Sequence, residues 1–298
     1  MIARHPRCPF QGSYVALATP FRGGELDLDA FVRLIDWHAE SGTDGVVVAG
    51  TTGEGATLTE HEKATLFETA VARSRGRLPV IAGVGTNCTR TTVESAREAQ
   101  GRGVAGVLVV TPYYNKPTPR GLVLHFGAVA QAVQIPIVLY NVPSRTGVDM
   151  VPEVVAEVAR SFAHVVAVKE ALPSVERVKR LVAETEAAVL CGDDGSIADF
   201  MALGAVGVIG VVNNIAPRAV ADLVRAAAPG GDSVRAAGLV EQIAPLVRDL
   251  FLESNPGPVK AALSMLGRCS DELRLPLAPM QPENARRLEA TLRAFRGG

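Results

Sequence analysis

Eight short runs rich in β-branched residues recur along the chain, most of them broken by Gly, Thr, Pro, Asn or Asp before a helix-like stretch begins. They fall at residues 14–18, 45–49, 80–84, 107–110, 137–140, 165–168, 189–191 and 206–211. None alternates strictly between apolar and polar positions, so each suits a parallel strand covered on both faces. Between them apolar residues recur at spacings of three and four. Residues 28–40 carry Phe31, Leu34, Ile35 and His38 on one side. Residues 59–73 open with Thr59-Glu60-His61-Glu62, a capping signature, and Pro119 and Pro152 stand where helices would start. Eight strands alternating with helices predict a closed (β/α)8 TIM barrel, with an open doubly wound sheet as the alternative. After Ala216-Pro217 the strand signals stop, and Gly230-Gly231 and Asn255-Pro256-Gly257-Pro258 punctuate an Ala- and Leu-rich remainder. The expected division is a catalytic barrel over residues 1–228 and a C-terminal three-helix appendage over residues 229–298.

Composition excludes several classes of function. Lys plus Arg number 30 against 31 Asp plus Glu, with no basic run, so neither nucleic acid nor an anionic membrane is an expected partner. No stretch of uninterrupted apolar residues is long enough to span a bilayer. Residues 1–9 carry charge with no apolar segment behind them, so no signal peptide is expected. Cys8, Cys88, Cys191 and Cys269 are scattered and form no Cys-x-x-Cys pair, which predicts reduced thiols and a cytoplasmic protein.

Active sites of such barrels occupy the C-terminal strand ends. There the sequence places Gly50-Thr51-Thr52-Gly53-Glu54, Thr111-Pro112-Tyr113-Tyr114-Asn115, Tyr140-Asn141-Val142-Pro143-Ser144-Arg145, Lys169-Glu170 and Gly192-Asp193-Asp194. Lys169 stands out. The chain has five lysines against 25 arginines, and only Lys169 caps an apolar strand. Desolvation at a barrel mouth favours the neutral amine, the form that attacks a carbonyl. The competing reading is a lysine paired with Glu170 or Asp194. Three of the four tyrosines, Tyr113, Tyr114 and Tyr140, also sit at strand ends, either as aromatic plugs or as phenols that move protons to a substrate on Lys169. Thr51-Thr52-Gly53 offers hydroxyls and backbone N–H groups to a carboxylate, or is an ordinary capping loop.

Other signals are weaker. Gly101-Arg102-Gly103-Val104-Ala105-Gly106 precedes a strand and reads as a turn, not a dinucleotide loop. Asp193-Asp194 reads as a helix N-cap. His5, His38, His61, His125 and His164 fall on helices or at the wrong strand ends, so no metal site is expected.

Together these residues resemble the dihydrodipicolinate synthase family, within the N-acetylneuraminate lyase superfamily of class I aldolase-like barrels. The superfamily marks are Gly50-Thr51-Thr52-Gly53-Glu54, Tyr140-Asn141-Val142-Pro143 and Lys169-Glu170. More specific are Thr111-Pro112-Tyr113-Tyr114-Asn115-Lys116-Pro117, Asn141-Val142-Pro143-Ser144-Arg145-Thr146-Gly147 and Asn255-Pro256-Gly257-Pro258-Val259-Lys260. The likeness runs from Gly12-Ser13 to the C-terminal helices.

The resemblance implies a Schiff base between Lys169 and pyruvate, whose carboxylate rests on Thr51 and Thr52 near Ile209. The enamine then attacks L-aspartate 4-semialdehyde on the path to diaminopimelate and lysine. It makes Tyr140 the proton donor and acceptor, relayed through Thr51 and Tyr114. The tyrosine matching Tyr114 would cross from a partner subunit of a homotetramer built as a dimer of dimers. It gives Arg145 the semialdehyde carboxylate and Gly192 the pocket wall. A protonated imine is itself an electron sink, so no cofactor and no metal are implied.

The chain departs from the family's pattern at Leu172-Pro173 after Ala171 and at Val212-Asn213-Asn214. In lysine-inhibited members a histidine and a glutamate stand where this chain has Glu60 and Thr91, although Asn87 and Tyr113 match. Feedback inhibition is therefore expected to be weak or absent. Two other functions stay open. One is a pyruvate-releasing lyase of sialic acid or a 2-keto-3-deoxy sugar acid, which has no use for a guanidinium at Arg145. The other is a non-catalytic pyruvate-binding barrel.

Overall fold

The eight runs fold as eight parallel strands closed into one barrel. They are β1 Gly12–Ala16, β2 Gly45–Val48, β3 Val80–Gly83, β4 Gly106–Val110, β5 Ile137–Asn141, β6 Val165–Glu170, β7 Ala188–Cys191 and β8 Gly207–Gly210. Each pairs with its neighbour in sequence, and β1 closes on β8 with Tyr14 opposite Ile209. The computed structural model describes residues 5–297. Met1–Arg4, the start of the segment in which the sequence shows no export signal, lie outside them.

Helices return the chain after each strand: α1 Leu28–Glu40, α2 Glu60–Ser74, α3 Thr89–Gly101, α4 Pro119–Ala132, α5 Pro152–Ser161, α6 Val175–Glu184, α7 Ile197–Ala202 and α8 Pro217–Ala227. Their starts follow from local chemistry. The Thr59 hydroxyl accepts from the Glu62 N–H at 3.2 Å while the Glu62 carboxylate accepts from the Thr59 N–H at 2.8 Å, which satisfies two donors that a helix N-terminus leaves free. Pro119 and Pro152 open α4 and α5, where a missing N–H costs nothing. Three further helices follow the barrel: α9 Ser233–Asp249, α10 Gly257–Met265 and α11 Pro282–Gly297. Among the described residues no helix is long and apolar enough to cross a membrane.

Buried side chains form two layers. Alternate strand residues such as Val46, Val48, Leu139, Val189 and Val208 pack outward against the helices. The intervening ones, including Tyr14, Val47, Ile81, Leu108, Val138, Tyr140, Leu190 and Ile209, fill the barrel interior. This alternation decides which polar residues reach the barrel axis. The sequence ends the sixth run at Val168, but β6 continues through Lys169 and Glu170, whose backbones pair with Tyr140 and Asn141.

Candidate active site

Lys169 reaches the interior through an irregularity in β6. At its start Ile137 pairs with Val165, but one step later Val138 pairs with Ala167, so Val166 has no partner in the register. Val166 and Ala167 consequently both join the inner layer. Had the pairing run on unshifted, Tyr140 would stand beside Val168, and Lys169 would point outward among the helices. A bulge re-aims every side chain beyond it. Here it sets Lys169 next to Tyr140, with Nζ 4.3 Å from the centre of the ring. Lys169 is only 5% exposed.

The same alternation removes Glu170 from the ammonium. Glu170 faces outward, where its carboxylate accepts from Arg177 Nε at 2.5 Å, from Asn141 Nδ2 at 3.0 and 3.1 Å, and from the Leu172 N–H at 2.8 Å. Burial pushes this carboxyl up from its ordinary value, and the Arg177 guanidinium and these hydrogen bonds pull it back. Asn141 also donates to Asp149 at 3.0 Å and accepts from the Met150 N–H at 2.9 Å, tying the end of β5 to the loop behind it.

Of Asp193-Asp194, read from sequence as a helix N-cap, Asp193 does hold the N-cap position, without a side-chain cap bond, but Asp194 has another role. It is the first residue of a 3-10 turn, Asp194–Ser196, and its buried carboxylate crosses to the end of β8. There it accepts from the N–H groups of Val211, at 3.0 Å, and Val212, at 3.1 Å. Burial raises its pKa to about 6 against the pull of those two bonds. Neither carboxylate proposed as a partner for Lys169 pairs with it, and among the described residues no ion pair forms at Lys169.

The other residues expected at the site lie at different depths. Ile209 is buried in the inner layer with Tyr140 and Leu190. Gly192 donates its N–H to the Glu170 carbonyl at 2.7 Å, and a Cβ there would stand 3.0 Å from both that carbonyl and the Ala171 side chain. No larger residue fits this approach without movement. Thr52 is buried on the loop after β2, whereas Thr51 beside it is exposed.

Arg145 is exposed on the single helical turn Pro143–Thr146 after β5. Tyr114 is 88% exposed, with a left-handed φ of 74°, and its N–H donates to the Thr146 carbonyl at 3.3 Å. Tyr114 and Arg145 therefore lie on two rim loops joined by a backbone bond. Among the described residues the Tyr140, Thr51 and Tyr114 hydroxyls are not hydrogen-bonded to one another.

Four residues important to this region were not singled out from sequence as site-supporting. The Lys260 ammonium pairs with the Glu54 carboxylate at 2.7 Å, both fully buried. The Arg274 N–H donates to the other Glu54 oxygen at 3.0 Å. Asn255 Nδ2 donates to Thr52 Oγ1 at 2.9 Å. A lysine inside the apolar helix α10 was the available signal.

A family model described as the dihydrodipicolinate synthetase family matches residues 9–295. The chain is 47% identical over 288 residues to a 4-hydroxy-tetrahydrodipicolinate synthase of Aquifex aeolicus (strain VF5), covering 96% of this chain and 98% of that one. It is 46% identical over 288 residues to the protein of the same name from Anaeromyxobacter sp. (strain Fw109-5), covering 96% and 97%. The crystal structure of dihydrodipicolinate synthase from Aquifex aeolicus superposes with a TM-score of 0.95 at 47% identity, over 96% of this chain and 98% of that one. By sequence over almost its whole length and by fold, the chain belongs to the dihydrodipicolinate synthetase family.

Proposed function

We propose that this chain condenses pyruvate with L-aspartate 4-semialdehyde to 4-hydroxy-tetrahydrodipicolinate through a Schiff base on Lys169. The observation that carries this reading is Lys169 itself. In a chain of this family, it is a buried lysine turned inward by a bulge, flanked by a tyrosine ring, with no carboxylate to pair with. A structural lysine at such depth ordinarily has a counter-ion.

The amine adds to the pyruvate C2 carbonyl and water leaves, giving an iminium. That iminium accepts the electron pair released when a proton leaves the C3 methyl, so the enamine forms without a cofactor. Enamine carbon then bonds to the aldehyde carbon of the semialdehyde, and the resulting alkoxide takes a proton. Finally the semialdehyde's own amine adds to C2 and expels Lys169, closing the ring with one water lost overall.

Tyr140 is the group we assign to these proton movements, supported by its place beside the nitrogen. Thr51 and Tyr114 would relay protons onward. Thr52 and Thr51 would hold the pyruvate carboxylate, with Ile209 and Gly192 as pocket walls. Residues up to 228 would form the catalytic barrel, with a helical region from 229 onward. The exposed, left-handed Tyr114 supports an assembly in which it meets a partner subunit, which we read as a homotetramer made of two dimers. Four free cysteines support a reducing, cytoplasmic setting. At the position of the inhibitor-binding histidine, Glu60 is engaged by Lys63 and Ser95, each at 2.9 Å, which supports weak or absent lysine inhibition.

Arg145 separates the synthase from a sugar-acid lyase. Arg145→Ala is expected to form the pyruvate imine as the wild type does, while kcat/KM for the semialdehyde falls about tenfold to a hundredfold, the scale of a charged hydrogen bond. Turnover is followed by coupling the product to an NADPH-dependent reductase. Unchanged semialdehyde kinetics in the variant, or faster cleavage of a sialic or sugar acid by the wild type, would move the assignment to the lyase.

A further inference from the structure

The loop after β2 is held in an unfavourable shape. Ala49 and Glu54 adopt left-handed φ angles of 55° and 53°, uncommon for residues with a Cβ. Between them the chain turns so tightly that a Cβ on Gly55 would stand 2.1 Å from the Ala49 carbonyl. Such a conformation persists only where its surroundings impose it. Thr19 Oγ1, on the connection after β1, donates to the Gly53 carbonyl at 2.7 Å. The Lys260–Glu54 pair, the Arg274 N–H and the Asn255 amide all reach the loop from beyond the barrel.

Asn255 does more than tether. Thr52 Oγ1, in a residue 1% exposed, has two lone pairs and one proton. The Asn255 amide occupies a lone pair, and the hydroxyl donates to no acceptor among the described residues. Asn255 is itself 5% exposed, and its Oδ1 is buried with no partner. Turning the amide over would give that oxygen the Thr52 proton, but it would strand two N–H donors. The geometry therefore keeps the Thr52 proton free to donate, and a hydroxyl that accepts an N–H is a stronger donor.

We propose that Asn255 is a positioning residue for the keto-acid carboxylate, directing the Thr52 proton toward it from the C-terminal helical region. This rests on the reading above, in which Thr52 holds pyruvate. In Asn255→Asp the side chain keeps its size but can only accept, so it takes the Thr52 proton and sets a negative charge beside the substrate's own. KM for pyruvate is expected to rise about tenfold or more, with kcat within about threefold of wild type. Borohydride trapping at low pyruvate should fall in parallel. In a Thr52→Val background Asn255→Ala, which brings no charge, should add less than about twofold, because the hydroxyl it acts through is gone.

Asn255→Ala, which removes the donor without adding charge, is expected to raise KM about threefold and answers the same question if the aspartate variant fails to fold. A wild type that traps no pyruvate overturns both the Schiff-base reading and this inference. A wild type that traps pyruvate, with KM unmoved in both Asn255 variants or raised by Asn255→Ala equally in the Thr52→Val background, overturns the role of Asn255 alone.

Discussion

Lys169→Met is expected to lower turnover by about 10⁵-fold or more, the scale by which a positioned nucleophile outperforms one free in solution. The same protein should melt no lower than the wild type. Both halves follow from the surroundings of this side chain. The ammonium is buried over the Tyr140 ring with no carboxylate to offset its lost hydration. A methionine of similar length fills the same space without that cost. Loss of activity with unchanged or raised stability is the signature of a group kept for chemistry. A melting temperature that drops with the activity would instead mark Lys169 as structural.

Lys260→Met should behave in the opposite way. This ammonium also lies over an aromatic ring, 4.2 Å from the centre of Phe21, and is also buried. Burial pulls its pKa below that of an ordinary lysine, and the Glu54 carboxylate pulls it back up. Removing it strands the Glu54 charge at 0% exposure, a change worth about 3–5 kcal/mol of stability when a buried pair is broken from one side. Urea unfolding measures it. Activity should fall as well, because Glu54 sits in the strained loop that carries Thr51 and Thr52. A loss below about 1 kcal/mol, the range of an exposed pair, would mean that Glu54 is solvated or repacks in the variant. Of these two buried lysines above aromatic rings only Lys260 has a carboxylate partner, and on the reading proposed above that leaves Lys169 the one able to react.

The barrel was legible because eight β-branched runs without alternation leave few other architectures, and Thr59, Pro119 and Pro152 marked helix starts that the fold uses. Lys169 was legible because lysine is scarce and this one ends an apolar run. Its inward direction was not. Val165-Val166-Ala167-Val168 has the same composition with or without a bulge, and only pairing with β5 shows that Val166 is the extra residue. Asp194 was misjudged for a related reason: a local pattern, acid before a turn, competed with the backbone N–H groups of Val211 and Val212 just past β8, 17 and 18 residues on. The support beneath Thr52 was hidden by distance in the chain, since Asn255 and Lys260 lie some 200 residues from their partners. Their motif was visible, whereas its reach into the barrel mouth is a product of how α10 packs.

The most direct measurement is borohydride reduction of the wild-type protein in the presence of pyruvate, followed by peptide mapping. A single reduced pyruvate adduct on Lys169, absent without pyruvate and absent in Lys169→Met, is the predicted result. No adduct in the folded protein, or an adduct on Lys63, Lys116, Lys179 or Lys260, would contradict Schiff-base chemistry at the end of β6.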